Sequence, residues 1–157
     1  MRTLRRSIVT APADPSLRFP RALQILLLAP LVVCVAACGT SGRDRPTVEV
    51  TASPMAGKQF AEVSLHSFYF EPNRIVVKSG VPVELKLKKK SFVVPHNFHL
   101  MAPEAGIDVN QNVGFLGIFP GSKTVTFTPT KPGEYSFMCH KDGHMAKGMM
   151  GTLVVVE

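Results

Sequence analysis

Cysteine is scarce in this chain, and so is surplus charge once the N-terminal segment is set aside. Only three of the 157 residues are cysteines, and a single one, Cys139, lies downstream of residue 38. The formal net charge is +7, but five of the 18 basic residues and one of the 11 acidic residues precede Cys38, which leaves 13 against 10. A balance of +3 gives little support to a nucleic-acid partner.

The long apolar run is confined to the N-terminus, where it has the order of an export signal. Arginines come first, residues 22–37 form an apolar stretch, and small residues end it. Such a stretch is short for a membrane span. "VAAC" followed by "GTSG" resembles a bacterial lipoprotein box, in which Cys38 becomes the lipidated first residue. We therefore expect a lipoprotein-type signal peptide over residues 1–37 and an exported, extracytoplasmic protein, periplasmic or at the cell surface, anchored to a membrane.

Other fates of this segment stay open. Ordinary cleavage after Ala37 or an uncleaved anchor would also agree with the pattern, and the long leader allows a start codon further downstream. Cys34 fits lipidation less well, because the bulky Val33 would stand at the junction. Residues 38–57 are rich in Gly, Ser, Thr and Pro without an apolar period, which predicts a flexible tether.

From residue 58 onward no helical stripe of apolar residues is evident, and short alternating segments are found instead. Seven β-like segments separated by turn signals predict one all-β domain over residues 58–157, a single antiparallel Greek-key β-sandwich. The segments are "AEVSLHSFYFEP", "RIVVKSG", "VPVELKLKKK", "HNFHLM", "KTVTFTPT", "GEYSFMC" and "GTLVVVE". Residues 102–122 are expected to be a long connection with the apolar loop "GFLGIFPG", and "KLKKK" a solvated edge.

The segment "FMCHKDGHMAKGMMG" concentrates soft ligands around the lone thiol. Exported thiols are usually paired, and an unpaired one persists if it is buried or held as a thiolate by a metal. The spacing Cys139-x4-His144-x4-Met149 brings a thiolate, an imidazole and a thioether into one loop. His96 in "VPHNFHL" can supply a second imidazole from a neighbouring strand. Two His, one Cys and a weak axial Met form the ligand set of blue-copper electron-transfer sites.

The motifs "PHNFH", "KPGEYSFMC" and "HMAKGMMGTLVVV" resemble those of the small cupredoxins, the plastocyanin, amicyanin and auracyanin group, over roughly residues 68–157. The resemblance implies one copper ion, Cu(I) or Cu(II), and the ligands His96, Cys139, His144 and Met149. Met149 is preferred to Met150 because the family's axial Met stands two residues before the Gly that opens the last strand.

The same resemblance implies roles around the copper. Asn97 is expected to hydrogen-bond to the backbone beside Cys139 and to fix the two ligand loops together. Pro95 stands where azurin-like proteins have a Gly, so its carbonyl is not expected to approach copper. His144 is expected to reach the surface through an apolar docking patch that consists of Met145, Ala146, Phe115, Leu116 and Ile118.

A carrier of this kind is expected to be a monomer and not an enzyme. Its partners would be redox proteins of an extracytoplasmic electron-transfer chain, contacted transiently and steered by Lys141 and Lys147 toward acidic surfaces.

Alternatives remain at the level of residues and of function. His140, next to Cys139, could replace His144 as ligand, whereas His99 is expected to point away from His96 because it lies three positions along a strand. An extracytoplasmic copper chaperone or copper buffer is the alternative function, suggested by the methionines. A zinc protein or an enzyme subunit is a further class, but zinc would not use the axial thioether.

Overall fold

The structure is a computed structural model that describes residues 42–157, and these residues form β-strands joined by turns and short 3-10 helices. The strands are β1 (Glu49–Thr51), β2 (Ser53–Met55), β3 (Lys58–His66), β4 (Tyr69–Glu71), β5 (Arg74–Lys78), β6 (Val83–Lys89), β7 (His96–Ala102), β8 (Ile107–Val113), β9 (Gly121–Phe127), β10 (Gly133–Met138) and β11 (Met150–Val156). The 3-10 helices are Gly42–Asp44, Pro103–Ala105 and Met145–Lys147.

The strands form two sheets, which confirms the predicted all-β sandwich. One sheet has the order β1-β5-β11-β10-β7-β8, and the other has the order β2-β3-β6-β9 with β4 paired to β3. The pairs β1–β5, β5–β11 and β3–β6 are parallel. The sheets are therefore mixed, whereas the sequence predicts an antiparallel sandwich. Parallel pairs join strands that are distant along the chain, and local turn signals do not report them.

Alternation along the strands decides which side chains enter the core between the sheets. In β6, Val83, Leu85 and Leu87 are fully buried, and the residues between them are half-buried. Lys89 continues the inward phase and is only 2% exposed. The expectation of a solvated edge at "KLKKK" is wrong, because β6 lies between β3 and β9 in its sheet.

Two strands lie within the predicted tether. β1 pairs with β5, and β2 pairs with β3. The side chain of Asn73 also accepts a hydrogen bond from the Val48 amide at 2.8 Å and donates to the Pro46 carbonyl at 3.3 Å. The predicted boundary between tether and domain at residue 58 is therefore too late. The strands are short and exposed, so they carry no apolar period by which the sequence could have revealed them.

A third strand was missed in residues 102–122, which were expected to be a long connection. β8 pairs with β7 along its whole length, from Ala102 with Ile107 to His96 with Val113. Its outward positions carry Asp108, Asn110 and Asn112, residue types that are depleted in strands, so its β-propensity is weak. Only residues 114–120 after it form the apolar loop.

No helix within residues 42–157 has the length and hydropathy needed to cross a bilayer. The predicted signal peptide, Cys34, Cys38 and the first tether residues lie outside the described residues.

Candidate metal centre

Strand ends bring the predicted ligands to one place in the six-stranded sheet. His96 is the first residue of β7, Cys139 directly follows β10, and Met149 directly precedes β11. Since β10 lies between β7 and β11, these three positions are on neighbouring strands. His144 stands in the loop from β10 to β11, just before the 3-10 helix Met145–Lys147.

The donor atoms of three predicted ligands converge. Sγ of Cys139 lies 3.3 Å from Nδ1 of His144 and 4.0 Å from Nδ1 of His96. The candidate ligand atoms of this trio all lie within 4.8 Å of one another. Cys139 and His96 are fully buried, and His144 is 6% exposed. The open choice between His144 and His140 therefore falls to His144, because His140 is exposed and its ring packs against that of His99.

The ligand loop is closed by its own backbone. The Cys139 amide donates to the Met149 carbonyl at 3.1 Å, and the Met149 amide donates to the His144 carbonyl at 3.0 Å. Gly148 has φ of +86°, a left-handed conformation that favours glycine and turns the chain from the 3-10 helix into β11. Met149 is fully buried in this turn. The loop thus ties the backbone of the buried Met149 to both Cys139 and His144.

Asn97 connects the two ligand segments as the sequence predicts. Its Oδ1 accepts a hydrogen bond of 2.7 Å from the His140 amide, and its Nδ2 donates to Oδ1 of Asn110 at 3.3 Å. Its own amide also donates to Sγ of Cys139 at 3.5 Å. One residue therefore fixes the backbone beyond Cys139 and contacts the sulfur itself. Pro95 is exposed at the entry to β7.

Burial keeps both candidate imidazoles neutral. It lowers the pKa of His96 to about 3, assisted by the positive charge of Lys89 and by the nearby His144, whose own protonation would add a second positive charge. Burial likewise lowers the pKa of His144, with Lys147 acting in the same direction. A neutral imidazole offers a lone pair, as metal coordination requires. His96 faces the Cys139 sulfur with its Nδ1 atom. Its Nε2 atom is buried without a hydrogen-bond partner.

The buried Cys139 thiol indicates that this pocket suits a soft cation. Burial raises the pKa of Cys139, while hydrogen bonds from the amides of Asn97 and Lys141 oppose that effect. A buried thiolate is costly unless a positive charge compensates for it. Two neutral imidazoles, one thiol and an adjacent thioether match the donor set of a blue-copper centre, and soft sulfur disfavours Mg²⁺ or Ca²⁺. The residues present therefore fit copper.

Phe68 is a site residue that the sequence did not single out. Its ring meets that of His144 edge-on with centroids 5.0 Å apart, and Nζ of Lys147 lies 3.8 Å from the centroid of the Phe68 ring. Phe68 has φ of +69°, an uncommon conformation for a bulky residue. Strained backbone of this kind tends to occur at functional sites. No motif in "SLHSFYF" signals this contact, because it depends on the packing of two distant loops.

Lys89 is the second residue that was missed. Its ammonium donates to the backbone carbonyls of Ser91 and Ile118. It thereby joins the loop that leads into β7 to the apolar loop that follows β8. Burial lowers its pKa, and its charge in turn disfavours protonation of His96. The continued inward phase after Leu87 is the signal by which the sequence could have revealed it.

The predicted docking residues lie in two separate segments. Met145 and Ala146 are in the 3-10 helix that follows His144, and Phe115, Leu116 and Ile118 are in the loop between β8 and β9. That loop begins after Val113, the partner of His96 in the sheet. The loop is therefore adjacent in the chain to the strand partner of His96, a candidate ligand. Leu116 is the most exposed of the set, at 74%.

The stability of the copper-free protein is expected to fall as the pH drops from about 6.5 toward 3. His96 stays neutral in the folded state down to a pKa of about 3, whereas an unfolded histidine takes up its proton near 6.5. Between these values the unfolded state binds more protons and is favoured. Urea unfolding of the apoprotein and of a His96→Leu variant would measure this, and the variant should lose less stability over that range. Equal losses in the two proteins would contradict the assignment.

Comparisons with known proteins agree with this geometry. A family model described as a Cupredoxin-like domain matches residues 27–155. The chain is 30% identical over 151 residues to chloroplastic plastocyanin of Oryza sativa subsp. indica, and the match covers 92% of this chain and 90% of the rice protein. It is 33% identical over 95 residues to cytochrome c oxidase subunit 2 of Thermus thermophilus, a match that covers 58% of this chain. The chain spans only 61% of the length of that subunit.

Solved structures of copper proteins share the fold of this chain. Dithionite-reduced auracyanin from the photosynthetic bacterium Roseiflexus castenholzii superposes with a TM-score of 0.50 and 22% identity, over 62% of this chain and 97% of the auracyanin. This likeness concerns the fold. With the family model and the plastocyanin match beside the donor set of His96, Cys139 and His144, the chain belongs to the cupredoxin-like family, and its cofactor is a single copper ion.

Proposed function

We propose that this cupredoxin is a membrane-tethered one-electron carrier whose copper is held by His96, Cys139, His144 and Met149. The observation that supports it most is the buried thiol whose Sγ faces two Nδ1 atoms at 3.3 and 4.0 Å. When bound, copper supplies a one-electron couple between its Cu(I) and Cu(II) states. The chain contributes a water-poor pocket in which softer sulfur and harder nitrogen donors serve both states.

The rigidity of the frame favours electron transfer. The ligand loop is closed by the two backbone hydrogen bonds between Cys139, His144 and Met149, and Asn97 holds it to the neighbouring strand. Ligands that are fixed in this way move little when the charge at their centre changes. A frame of this kind would keep the reorganisation cost of each transfer low, because the hydrogen bonds that hold the ligands do not involve the metal.

His144 is the ligand through which an electron would leave. It is the only one of the three clustered donors with any exposed surface, since His96 and Cys139 have none. The ring of Phe68 covers its flank, and the exposed Met145 follows it in the chain. A partner that docks over this edge would approach the metal through one imidazole.

The docking surface that we assign is the apolar loop after β8 together with the loop that precedes β7. Both loops expose large apolar side chains: Phe92, Val93, Phe115, Leu116, Ile118 and Phe119. Val93 and Leu116 also have positive φ angles of 47° and 50°, conformations that branched residues rarely adopt. Lys89 holds the two loops together from beneath. An apolar surface on a defined backbone suits brief contacts with a protein partner.

Charge would supply the steering. Lys141 and Lys147 lie in the ligand loop, on either side of His144. Basic groups near the rim of a docking surface raise the rate of encounter with acidic partners, and salt weakens the effect. We infer that the partners are redox proteins with acidic surfaces outside the cytoplasm. In this role the protein is a monomeric carrier and not by itself an enzyme.

The first prediction concerns the copper centre. The full chain loaded with Cu(II) should show an intense blue thiolate charge-transfer band that bleaches and returns on reduction and reoxidation. A Cys139→Ser variant should lose the band, because the donor of that transition is the thiolate sulfur. Visible absorption measures both, with His66→Ala as the control that keeps it. A pale spectrum, or loss of copper on reduction, would contradict electron transfer and favour the copper chaperone or buffer.

The second prediction concerns docking. In a Leu116→Lys variant the blue band should persist, whereas electron self-exchange between Cu(I) and Cu(II) copies should slow by about tenfold or more, because the new like charges would meet across the contact. Line broadening in NMR spectra of mixed samples measures the rate. Met55→Lys is the matched control. Met55 is exposed on β2, and its substitution by Lys adds the same charge away from the proposed docking surface. Equal slowing in both variants would rule out a specific surface.

The third prediction concerns the anchor. Mass spectrometry of the mature protein isolated from membranes should find a diacylglyceryl modification on Cys38, with residues 1–37 removed. A Cys38→Ala variant should leave the membrane fraction, because it lacks the thiol to which the lipid would be attached. A mature N-terminus at Cys38 without lipid, or a retained leader, would overturn this assignment.

A further inference from the structure

The outer face of the six-stranded sheet carries a second group of copper-preferring side chains. Phe98, Leu100 and Ala102 of β7 point into the core, whereas His99 and Met101 alternate with them and point outward. His99 is paired with Met138 across β7 and β10, and Met138 is paired with Met150 across β10 and β11. Directly opposed residues on adjacent strands project on the same side of a sheet.

His140 joins this row from the loop beyond β10. Its ring centroid lies 4.1 Å from that of His99, and the two ring planes are tilted by 30°. His140 is exposed, and Met150 is 45% exposed. We refer to His99, His140, Met138 and Met150 as the His–Met cluster. Its members come from three strands and one loop, so the folded sheet is required to assemble it.

One atom of the cluster lacks the partner that a buried polar group needs. Nδ1 of His99 is buried and has no hydrogen-bond partner. Burying an imidazole nitrogen without a partner is unfavourable, and structures rarely leave such atoms unpaired without a reason. A bound cation would satisfy this lone pair. Two nitrogens that each bind one ion at about 2.0 Å can stand at most about 4 Å apart. The rings of His99 and His140 are close enough for this, provided that the His140 ring rotates to bring one nitrogen toward the ion.

We propose that the His–Met cluster is a second metal site that binds Cu(I). Imidazole alone would accept zinc, nickel or copper, but thioethers select Cu(I) among the common ions. No carboxylate belongs to the cluster, so hard cations gain no suitable donor from it. The site is distinct from the copper centre, because Cys139 and His140 project from opposite faces of the same chain segment.

The position of the cluster suggests its use. His140 directly follows Cys139, and its amide is hydrogen-bonded to Asn97, the residue that also contacts the Cys139 sulfur. The copper centre is buried except for a small part of His144, whereas His140 and Met150 of the cluster are exposed. Cu(I) bound there would contact the residue that follows Cys139 in the ligand loop, in the position of an ion awaiting entry. The cluster thus acts as an acquisition site for copper.

The test is an anaerobic titration of the full chain with Cu(I), using bicinchoninate as the competing chelator. The His99→Gln/His140→Gln variant should bind one Cu(I) fewer than wild type and still form the blue band with Cu(II). Cys139→Ser should also lose one equivalent, but from the buried centre, so the two losses should add when the variants are combined. His66→Gln is the matched control and should lose none.

Several outcomes would overturn the proposal. An unchanged Cu(I) stoichiometry in the double variant would do so, as would an equal loss when Zn(II) replaces Cu(I). If the double variant fails to form the blue band, NMR of the wild-type protein decides the question. Addition of Ag(I), a diamagnetic substitute for Cu(I), should shift the ring nitrogens of His99 and His140 while those of His66 stay in place. Absence of these shifts would exclude the site.

Discussion

A single side-chain hydrogen bond holds the metal centre together. Oδ1 of Asn97 accepts from the His140 amide at 2.7 Å and thereby joins the start of β7 to the loop that follows β10. Without this link the two segments would be tied by the weaker contact of the Asn97 amide with the Cys139 sulfur and by the pairing of β7 with β10 at Met138 and His99. The sandwich brings the ligands into the same region, and Asn97 fixes the distance between them. The Cys139 thiol then receives the Asn97 amide as well.

Burial acts on this centre in two opposing ways. It keeps His96 and His144 neutral and able to bind, and it raises the pKa of the Cys139 thiol that must become a thiolate. A cation resolves the conflict, because it compensates the thiolate in a place where water cannot. Beneath the apolar loops another buried charge is stabilised by backbone carbonyls instead of by an ion of opposite charge. The ammonium of Lys89 is buried against backbone carbonyls, so a charge that is costly to desolvate orders the surface proposed for docking.

The two faces of one sheet serve different chemistry. Strand alternation sends Phe98 and Phe137 into the core and turns His99 and Met138 outward. At the strand ends the same inward phase continues, so His96 and Cys139 enter the buried pocket. Adjacent residues such as Cys139 and His140 therefore face different environments. A buried copper centre and an accessible His–Met cluster can share one short segment for this reason.

The sequence by itself determined the all-β class and the candidate ligands His96, Cys139 and His144, through alternation and the local spacing of unusual residue types. The role of Asn97 was implied by the resemblance to the small cupredoxins. The sequence failed where partners are distant or composition is bland. β1 and β2 are only three residues long, β8 carries Asp and Asn at its outward positions, and the parallel pairs of β3 with β6 and of β5 with β11 leave no local trace. Only the tertiary structure decided that Phe68 packs on His144 and that Lys89 joins two loops. It also decided that His99 meets His140, since such contacts arise when strands far apart in the chain become neighbours.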